Sequence, residues 1–473
     1  MIALALAAAA AVQVGSKQFT ESVILAEIAV QTLRAAGIPA EHRRELGGTR
    51  VLWEALRAGQ IDLYPEYTGT IAEELLGGNR ELAPALAKFS LRTGGPLGFE
   101  DTYAIGMRRA DATRLGIGSL SALARHSELE IGLTNEFIRR RDGWPRLREV
   151  YGFSEAHVRG MEHALAYRAL RAGEIAATDL YSTDAEIQAG DLVVLEDDRG
   201  AFPRYDAVLL ERADLPEAAR RALSKLEGAI SAREMIAMNA RALIDRVPEA
   251  QVASDFLAAK LSIATTTTSR SAAGRIARRT LEHLFLVAVS LAAAVAVAIP
   301  LGILAWRRPR LGQGILGVTG AIQTVPSLAL LVFMIPLLGI GAGPAIVALF
   351  LYSLLPIVRG THAGIAGIAP ELRESGEALG LPPRAVLTRI ELPLAAPSIL
   401  AGIQTAAVID VGTATLGALI GAGGYGQTIL AGIRLADTGL ILEGAIPAAL
   451  LALAVQGAFD LLGRAIIPRG LRA

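Results

Sequence analysis

The chain has no cysteine among its 473 residues. This absence excludes disulfide bonds, thiolate metal ligands and a lipid-modified cysteine anchor. The formal net charge is zero, and lysine is absent after Lys260. A balanced charge argues against nucleic acid as a partner, because neutralising phosphates requires a surplus of basic residues. The six histidines are scattered without metal-ligand spacing, so no metal site is predicted.

Composition changes at about residue 280, where a charged half gives way to an apolar one. A chain of this length and 52% hydrophobic content is predicted to form at least two units. Residues 1–11 form an apolar run, too short for a bilayer span of about 20 residues. The run fits either the remainder of a secretory signal or a first buried strand.

Strands and helices alternate in the first half. Val12–Val14 reads as a strand, a helix opens near Thr20, and Thr49 is a plausible N-cap for the helix that ends at Gly59. Such alternation predicts a parallel sheet covered by helices, with ligands at the carboxyl ends of the strands.

An internal repeat divides this half into two similar lobes. Ala55–Ile61 recurs 114 positions later as Ala169–Ile175, and at the same offset Tyr67 falls on Tyr181. A common helix ending would explain the repeat alone. The matching tyrosines favour two lobes that each present a tyrosine to a shared cleft.

Two further tyrosines, Tyr103 and Tyr205, lie near the predicted crossings between lobes at 104–108 and 206–211. Aromatic faces bind a cation that cannot donate hydrogen bonds, with roughly 0.5 to 2 kcal/mol per contact. Arg140 is a candidate for pairing with a ligand carboxylate, although three consecutive arginines usually form a solvated surface.

The second half contains five apolar segments, at 284–305, 314–340, 342–358, 398–421 and 440–462. Arginines follow the first, third and fifth segments, which places that side in the cytoplasm and the first half outside. The arginines from Arg270 to Arg279 conflict with this topology. Asp410, near mid-span, is either a functional carboxylate or a packed structural one. Gly421–Thr428 lacks the lysine of a phosphate loop and is predicted to be a turn.

The loop after the third apolar segment predicts a polar helix–turn–helix, Glu371–Pro393. Its spacing resembles the coupling signature of ABC importer permeases, with matched residues Glu374, Ser375, Gly376, Gly380, Ile390, Leu392 and Pro393. Gln323–Leu328, Gly412–Leu416 and Gly421–Gly426 are similar to permeases of the glycine betaine, carnitine and choline group.

The first half resembles the binding proteins of that group in four segments: Gly15–Glu21, Tyr64–Thr70, Tyr181–Asp184 and Phe202–Tyr205. The resemblance implies a type II, periplasmic-binding-protein-like α/β domain of two lobes, followed by an all-α transmembrane permease domain with five helices. The implied ligand-binding residues are Tyr67, Tyr103, Tyr181, Tyr205, Arg140, Ser16, Lys17 and Thr68. Arg204, Ser22 and Asp410 depart from the family pattern, and the first two leave the exact ligand open.

The expected domains are a binding domain at 12–262, a linker at 263–280 and a permease domain at 281–473. Lobe 1 is expected at about 12–105 and 207–262, and lobe 2 at about 106–206. Fusion to the permease would replace a lipid anchor.

The resemblance implies import of a quaternary ammonium solute such as glycine betaine, carnitine or choline. The chain would sit in the cell membrane, pair as a permease homodimer and contact lipid. It would bind no cofactor itself, because ATP would be hydrolysed by separate cytoplasmic ATPase subunits. An importer of another betaine, such as ergothioneine, and a membrane-tethered sensor remain alternatives. An enzyme is not expected, because no nucleophile–base pair is visible.

Overall fold

A computed structural model describes residues 11–161, 163–189, 191–265, 271–435 and 437–466. The chain divides into two compact units between Thr268 and Ser269. The apolar run at 1–10 lies outside the described residues, so the structure leaves its interpretation open. Val12 begins the first strand.

Ten strands form two sheets in the first unit. They are β1 Val12–Gly15, β2 Ala40–Arg43, β3 Leu63–Tyr67, β4 Leu91–Thr93, β5 Tyr103–Arg108, β6 Ile131–Thr134, β7 Val158–Met161, β8 Ala177–Tyr181, β9 Leu192–Val194 and β10 Ala207–Arg212. The strand orders are β2-β1-β3-β10-β4 and β7-β6-β8-β5-β9. In each sheet the first three strands are parallel, and the fourth pairs antiparallel with both of its neighbours.

Helices cover both sheets. They are α1 Thr20–Ala35, α2 Thr49–Arg57, α3 Thr68–Thr70, α4 Leu82–Ala87, α5 Arg109–Leu115, α6 Leu120–Leu123, α7 Asn135–Arg139, α8 Trp144–Tyr151, α9 His163–Ala172, α10 Ala185–Ala189, α11 Glu217–Leu223, α12 Ala232–Leu243 and α13 Glu249–Leu261. A π-helix, Ile71–Leu75, and a 3-10 turn, Ser224–Leu226, complete the list. The prediction of two similar α/β lobes is confirmed.

The sequence repeat corresponds to a structural one. Strands β3 and β8 hold the central place in their sheets, and each follows a turn at a glycine with positive φ, Gly59 (69°) and Gly173 (78°). A Cβ at Gly59 would lie 2.5 Å from the guanidinium of Arg212, and one at Gly173 would lie 2.8 Å from that of Arg108. Because it has no side chain, each glycine leaves room for the guanidinium of an arginine at the end of β10 or β5 in its own sheet.

The first crossing between the sheets lies just before the predicted 104–108, and the second lies at the start of the predicted 206–211. Strand β5 belongs to the second sheet from Tyr103 onward, and β10 belongs to the first sheet from Ala207 onward. A bridge between Glu100 and Asp206 joins the two crossing segments. The crossings therefore lie just before Tyr103 and just before Ala207, because each fourth strand begins directly after its crossing.

The second unit is helical. Its helices are α14 Ala272–Arg307, α15 Pro309–Thr324, α16 Ser327–Leu338, α17 Ala342–Ala366, α18 Pro370–Ala378, α19 Pro383–Val386, α20 Leu392–Thr413, α21 Tyr425–Arg434 and α22 Thr438–Ile466, with a π-helix at Leu387–Glu391 and a 3-10 helix at Ala414–Ile420. Four helical segments in the described ranges are long and apolar enough to cross a membrane, and a bent pair makes up to five.

The bent pair is the predicted second span. Helices α15 and α16 meet at an angle of 97° at the break before Pro326. Proline removes a helical hydrogen bond and frees a carbonyl in the preceding turn. The hydroxyl of Tyr352 on α17 donates to the carbonyl of Val325 and satisfies the backbone at this break.

The predicted linker at 263–280 is too long. Helix α14 begins at Ala272, with the Ser271 hydroxyl accepting from the Gly274 amide at 3.2 Å. The arginines that looked like linker residues are helical and paired: Arg278 and Arg279 contact Glu282 at 2.8 and 2.7 Å. Residues 266–270 lie outside the described ranges.

Candidate functional site

Tyr103 and Tyr181 lie opposite each other on the antiparallel strands β5 and β8. Their ring centroids are 4.9 Å apart with the planes inclined by 33°, and their hydroxyl oxygens are 3.2 Å apart. Phe137 on α7 adds a third ring 5.0 Å from that of Tyr103. The strand register therefore builds an aromatic wall at the end of the central strands of lobe 2, where ligands collect in α/β sheets.

Arg140 lies against this wall, with its guanidinium carbon 5.2 Å from the Tyr103 ring centroid. It donates to both oxygens of Asp142, from Nε at 3.0 Å and from Nη2 at 2.7 Å. Nη1 donates to Glu74 of lobe 1 at 2.8 Å. Arg140 is thus turned inward, as the sequence proposed, but its donors already face two protein carboxylates.

Asp142 remains ionised beside Arg140. Burial acts to raise its pKa, but hydrogen bonds from Arg140 and Tyr205 outweigh burial and hold the pKa below its usual value. A ligand carboxylate would have to displace Asp142 or Glu74 to reach Arg140. The prediction that Arg140 holds a ligand carboxylate therefore gains no support from this arrangement.

Tyr205 joins the same cluster from the crossing before β10. Its hydroxyl donates to Asp142 and accepts from Arg140 Nη2 at 3.4 Å. Its ring lies against Gly69, where an added Cβ would be 2.5 Å from the ring carbons. Gly69 is therefore needed for its small size, because any side chain there would push the Tyr205 ring away.

Tyr67 ends strand β3 and is buried with a carboxylate. Its hydroxyl donates to Glu21 at 2.6 Å, and its ring stacks on Phe19 at 6.4 Å. Burial raises the pKa of Tyr67, and the charges of Glu21 and Asp101 raise it further. Burial likewise raises the pKa of Glu21.

Three predicted polar residues have protein partners. Lys17 donates to Glu66 at 2.5 Å and lies 5.6 Å from the Tyr67 ring centroid. Thr68 accepts from the Asp206 amide at 3.0 Å and holds the crossing segment in place. Ser16 is fully buried, so its predicted contact with a ligand is not supported.

The sequence did not reveal the polar network behind Tyr67. Asn239 on α12 donates both to Glu21 and to the carbonyl of Thr183 in lobe 2, each at 2.9 Å. The Thr183 hydroxyl donates to Asp101 in the first crossing at 2.8 Å. These residues come from distant segments, so no local pattern could have grouped them. The network ties a cleft tyrosine to both lobes.

Ser16, His42 and Glu27 form an array that the sequence also missed. His42 contacts Ser16 Oγ at 2.9 Å through Nε2 and Glu27 Oε1 at 2.8 Å through Nδ1. The order resembles a nucleophile, base and acid, but the three residues come from separate segments, so the sequence alone did not show them as a group. Ser16 is buried inside lobe 1 and also accepts the Glu45 amide at 3.0 Å. The three residues therefore contribute to the packing of lobe 1 and do not face a substrate.

We predict that this array makes lobe 1 sensitive to acid. Burial lowers the pKa of His42 from 6.5, so its neutral form contributes stability that is present above pH 6.5 and lost as the pH falls. The Glu27 pKa falls to about 2, because bonds from His42 and the charge of Arg44 outweigh burial. His42→Gln should lower the free energy of unfolding of residues 11–265 by about 2–4 kcal/mol at pH 7.5.

The loss should shrink as the pH falls below 6.5, because only the wild type must then protonate or break the array. Denaturant titrations at pH 7.5 and 5.5 measure the difference. Burial raises the pKa values of Glu21, Asp101 and Glu66, so these groups stabilise the unit as the pH falls. Comparing the wild type with His42→Gln at the same pH cancels their contribution. An equal loss at both pH values would contradict the prediction.

The predicted coupling loop forms helix α18, a turn, α19 and the π-helix before α20. A Cβ at Gly376 would lie 2.5 Å from Ile390 Cδ1, so two signature residues are in direct contact. Gly380 has φ of 81° and ends the helix, with its amide donating to Glu377 at 2.8 Å. The small residues of the signature thus allow α18 to fold back on the π-helix.

The loop is anchored on one side and exposed on the other. Arg373 lies 3.1 Å from buried Glu391 and 4.5 Å from the Trp306 ring centroid. Leu372 and Leu379 are 48% and 81% exposed. Among the signature residues, Glu374, Ser375, Gly380 and Pro393 are exposed, and Leu392 and Pro393 begin α20. An exposed leucine pair on a fixed helix is typical of a protein-docking surface.

Comparison with known proteins gives two family matches. A profile described as the substrate-binding domain of ABC-type glycine betaine transport systems matches residues 10–259. A profile described as the inner membrane component of binding-protein-dependent transport systems matches residues 298–471. The resemblances stated from the sequence are confirmed.

Individual relatives match one unit each. The choline transport system permease protein OpuBB of Bacillus subtilis is 42% identical over 199 residues, 42% of this chain and 92% of that protein. The carnitine transport permease protein OpuCB of Listeria monocytogenes is 43% identical over 194 residues, 41% of this chain and 89% of that protein. A crystal structure titled as a glycine betaine/carnitine/choline ABC transporter has 27% identity and a TM-score of 0.50, and covers 52% of this chain and 97% of its own.

Proposed function

Because this chain belongs to the family of substrate-binding domains of ABC-type glycine betaine transport systems, joined to a binding-protein-dependent permease domain, we propose that it imports a quaternary ammonium solute. The observation that carries the proposal is the presence in one chain of an aromatic cleft and a coupling loop. The receptor unit captures the solute, and the helical unit conducts it across the membrane.

The cleft supports a cation as ligand. The rings of Tyr103 and Tyr181 lie next to each other, Tyr67 ends strand β3 of the facing lobe, and Tyr205 lies in the crossing before β10. A trimethylammonium group binds such faces without needing a hydrogen-bond donor or acceptor. Binding energy closes the lobes only through its differential affinity for the closed state.

The charges favour a solute without a carboxylate. Arg140 is paired with Asp142 and Glu74, and Lys17 with Glu66. The cationic groups near the tyrosines therefore already have carboxylate partners. Of the solutes in the names of the relatives, we propose choline as the preferred one.

ATP hydrolysis is assigned to separate ATPase subunits that dock on the coupling loop, Glu374–Pro393. Exposed Leu372 and Leu379 would fill a groove on that partner, and Gly376 would set the shape of the loop. ABC permeases act in pairs, so a homodimer in contact with lipid is proposed.

The receptor is proposed to lie outside the cell and the coupling loop inside. This arrangement requires an odd number of spans between the receptor and the coupling loop. Helices α14 and α17 supply two, so the bent pair α15–α16 must cross the membrane as the third. Tethering at the short segment before Ala272 would hold the receptor at roughly millimolar effective concentration near the permease.

A calorimetric screen of residues 11–265 tests the ligand. The match to the solved relative covers 97% of that chain and 52% of this one, so the relative has about the length of the receptor unit alone. This supports studying the unit by itself. The panel contains choline, glycine betaine, carnitine, proline betaine and ergothioneine. We expect binding of choline and weaker binding of glycine betaine. Preferential binding of ergothioneine would favour the alternative importer, and no binding to any of the five would overturn the proposal.

A further inference from the structure

Asp410 is a carboxylate buried inside the helical unit, three residues before the end of α20. It is 0% exposed. One oxygen, Oδ2, accepts from the Ser353 hydroxyl on α17 at 2.8 Å. The other, Oδ1, is buried and has no hydrogen-bond partner in the part of the chain that the structure describes. Half of the hydrogen-bonding capacity of this carboxylate is therefore unused.

Other polar links lie next to it on the same helices. His283 on α14 contacts the carbonyl of Val411 through Nε2 at 2.9 Å, and Tyr352 donates to Val325 at the bend between α15 and α16. Val411, which accepts from His283, directly follows Asp410 in the chain. Tyr352, which donates to Val325, directly precedes Ser353. Polar contacts from four helical segments thus meet at one level of an otherwise apolar bundle.

A carboxylate kept for packing should have all its acceptors filled, because burying an unsatisfied charged group destabilises a protein. Inside a bilayer the cost is larger, and ionisable residues there usually serve a pathway. No donor in the described ranges reaches Oδ1, so a positively charged group brought beside it would be stabilised.

We propose that Asp410 recognises the positive charge of the solute as it crosses the helical unit, and so favours solutes with a net positive charge. This inference rests on the proposed import function. Choline is a net cation, whereas glycine betaine carries its own carboxylate, which Asp410 repels. At low dielectric these Coulomb interactions differ strongly between the two solutes.

The test is uptake of radiolabelled choline and glycine betaine by cells that express the full chain with its ATPase subunit. Asp410→Asn should lower the ratio of choline to glycine betaine uptake by about tenfold, through a higher KM for choline. Ser353→Ala, which keeps the carboxylate but removes its donor, should shift the same ratio in the same direction by a smaller factor.

Asp460→Asn is the control, because Asp460 lies on α22, is exposed and accepts from Gln404 at 2.9 Å. It should leave the ratio unchanged. An unchanged ratio in both Asp410→Asn and Ser353→Ala, or equal loss of both solutes at normal membrane levels, would overturn the inference. If Asp410→Asn does not reach the membrane, Ser353→Ala decides alone. No uptake by the wild type would instead refute the import function.

Discussion

Alanine at Tyr103 or Tyr181 should weaken choline binding to residues 11–265 by up to about thirtyfold, and the double change should weaken it much further. Each ring contributes roughly 0.5 to 2 kcal/mol to a bound cation. The two rings also position each other, with centroids 4.9 Å apart. Removing Tyr103 further leaves Arg140 without the ring that its guanidinium covers. Isothermal titration calorimetry measures the effect.

The matched control is phenylalanine at the same positions. Tyr103→Phe and Tyr181→Phe keep the aromatic faces and remove the contact between hydroxyl oxygens at 3.2 Å. Their affinity should stay within about threefold of the wild type, since a neutral hydrogen bond contributes about 1 kcal/mol or less. Affinity that persists in both alanine variants would show that the ligand binds elsewhere.

Much of the receptor fold could be predicted because the repeat is local. The segments Ala55–Ile61 and Ala169–Ile175 each end a helix and lead into the central strand of a sheet, so Tyr67 and Tyr181 had to occupy equivalent strand ends. The side-chain partners could not be predicted in this way. Glu74 reaches Arg140 from 66 residues away, and only the closure of the two lobes brings them together.

Ser16 shows a second limit. It stands in a segment that resembles a ligand-binding motif, directly after β1. Strand pairing with β2 places His42 beside it, and the imidazole holds its hydroxyl. Whether a residue at a strand end faces the cleft or the core depends on its neighbour strand, which the local sequence does not specify.

In the helical unit, apolar composition predicted the spans but not their ends or angles. Pro326 signalled a break, whereas the 97° angle could not be read from the sequence; at this break the Tyr352 hydroxyl on α17 donates to the carbonyl of Val325. The predicted linker extended to residue 280, but Arg275 lies on α14 and pairs with Glu443, 168 residues away, at 2.6 Å. Polar composition alone could not distinguish a paired helix end from a flexible segment.

Valine at Gly376 should reduce solute uptake to about a twentieth of the wild-type rate while leaving solute binding to the receptor unit unchanged. A Cβ at this position would lie 2.5 Å from Ile390 Cδ1, and valine adds two further methyl groups, so we expect the Ile390 side chain and α18 to shift apart. The exposed face that carries Leu379 would move with it. An ATPase that binds the permease through this face would then no longer be coupled to the membrane helices.

Gly380→Asn is the control within the same loop. Gly380 has φ of 81° and nothing within 4 Å of an added Cβ, and asparagine tolerates this conformation better than other side chains. Uptake should therefore be largely retained. Uptake and calorimetric binding measured on both variants separate transport from sensing, because a sensor needs no ATPase contact. If Gly376→Val transported normally at wild-type membrane levels, the assignment of the coupling loop would be wrong. If the wild type bound the solute without taking it up, the tethered sensor would become the better explanation of a receptor fused to a membrane unit.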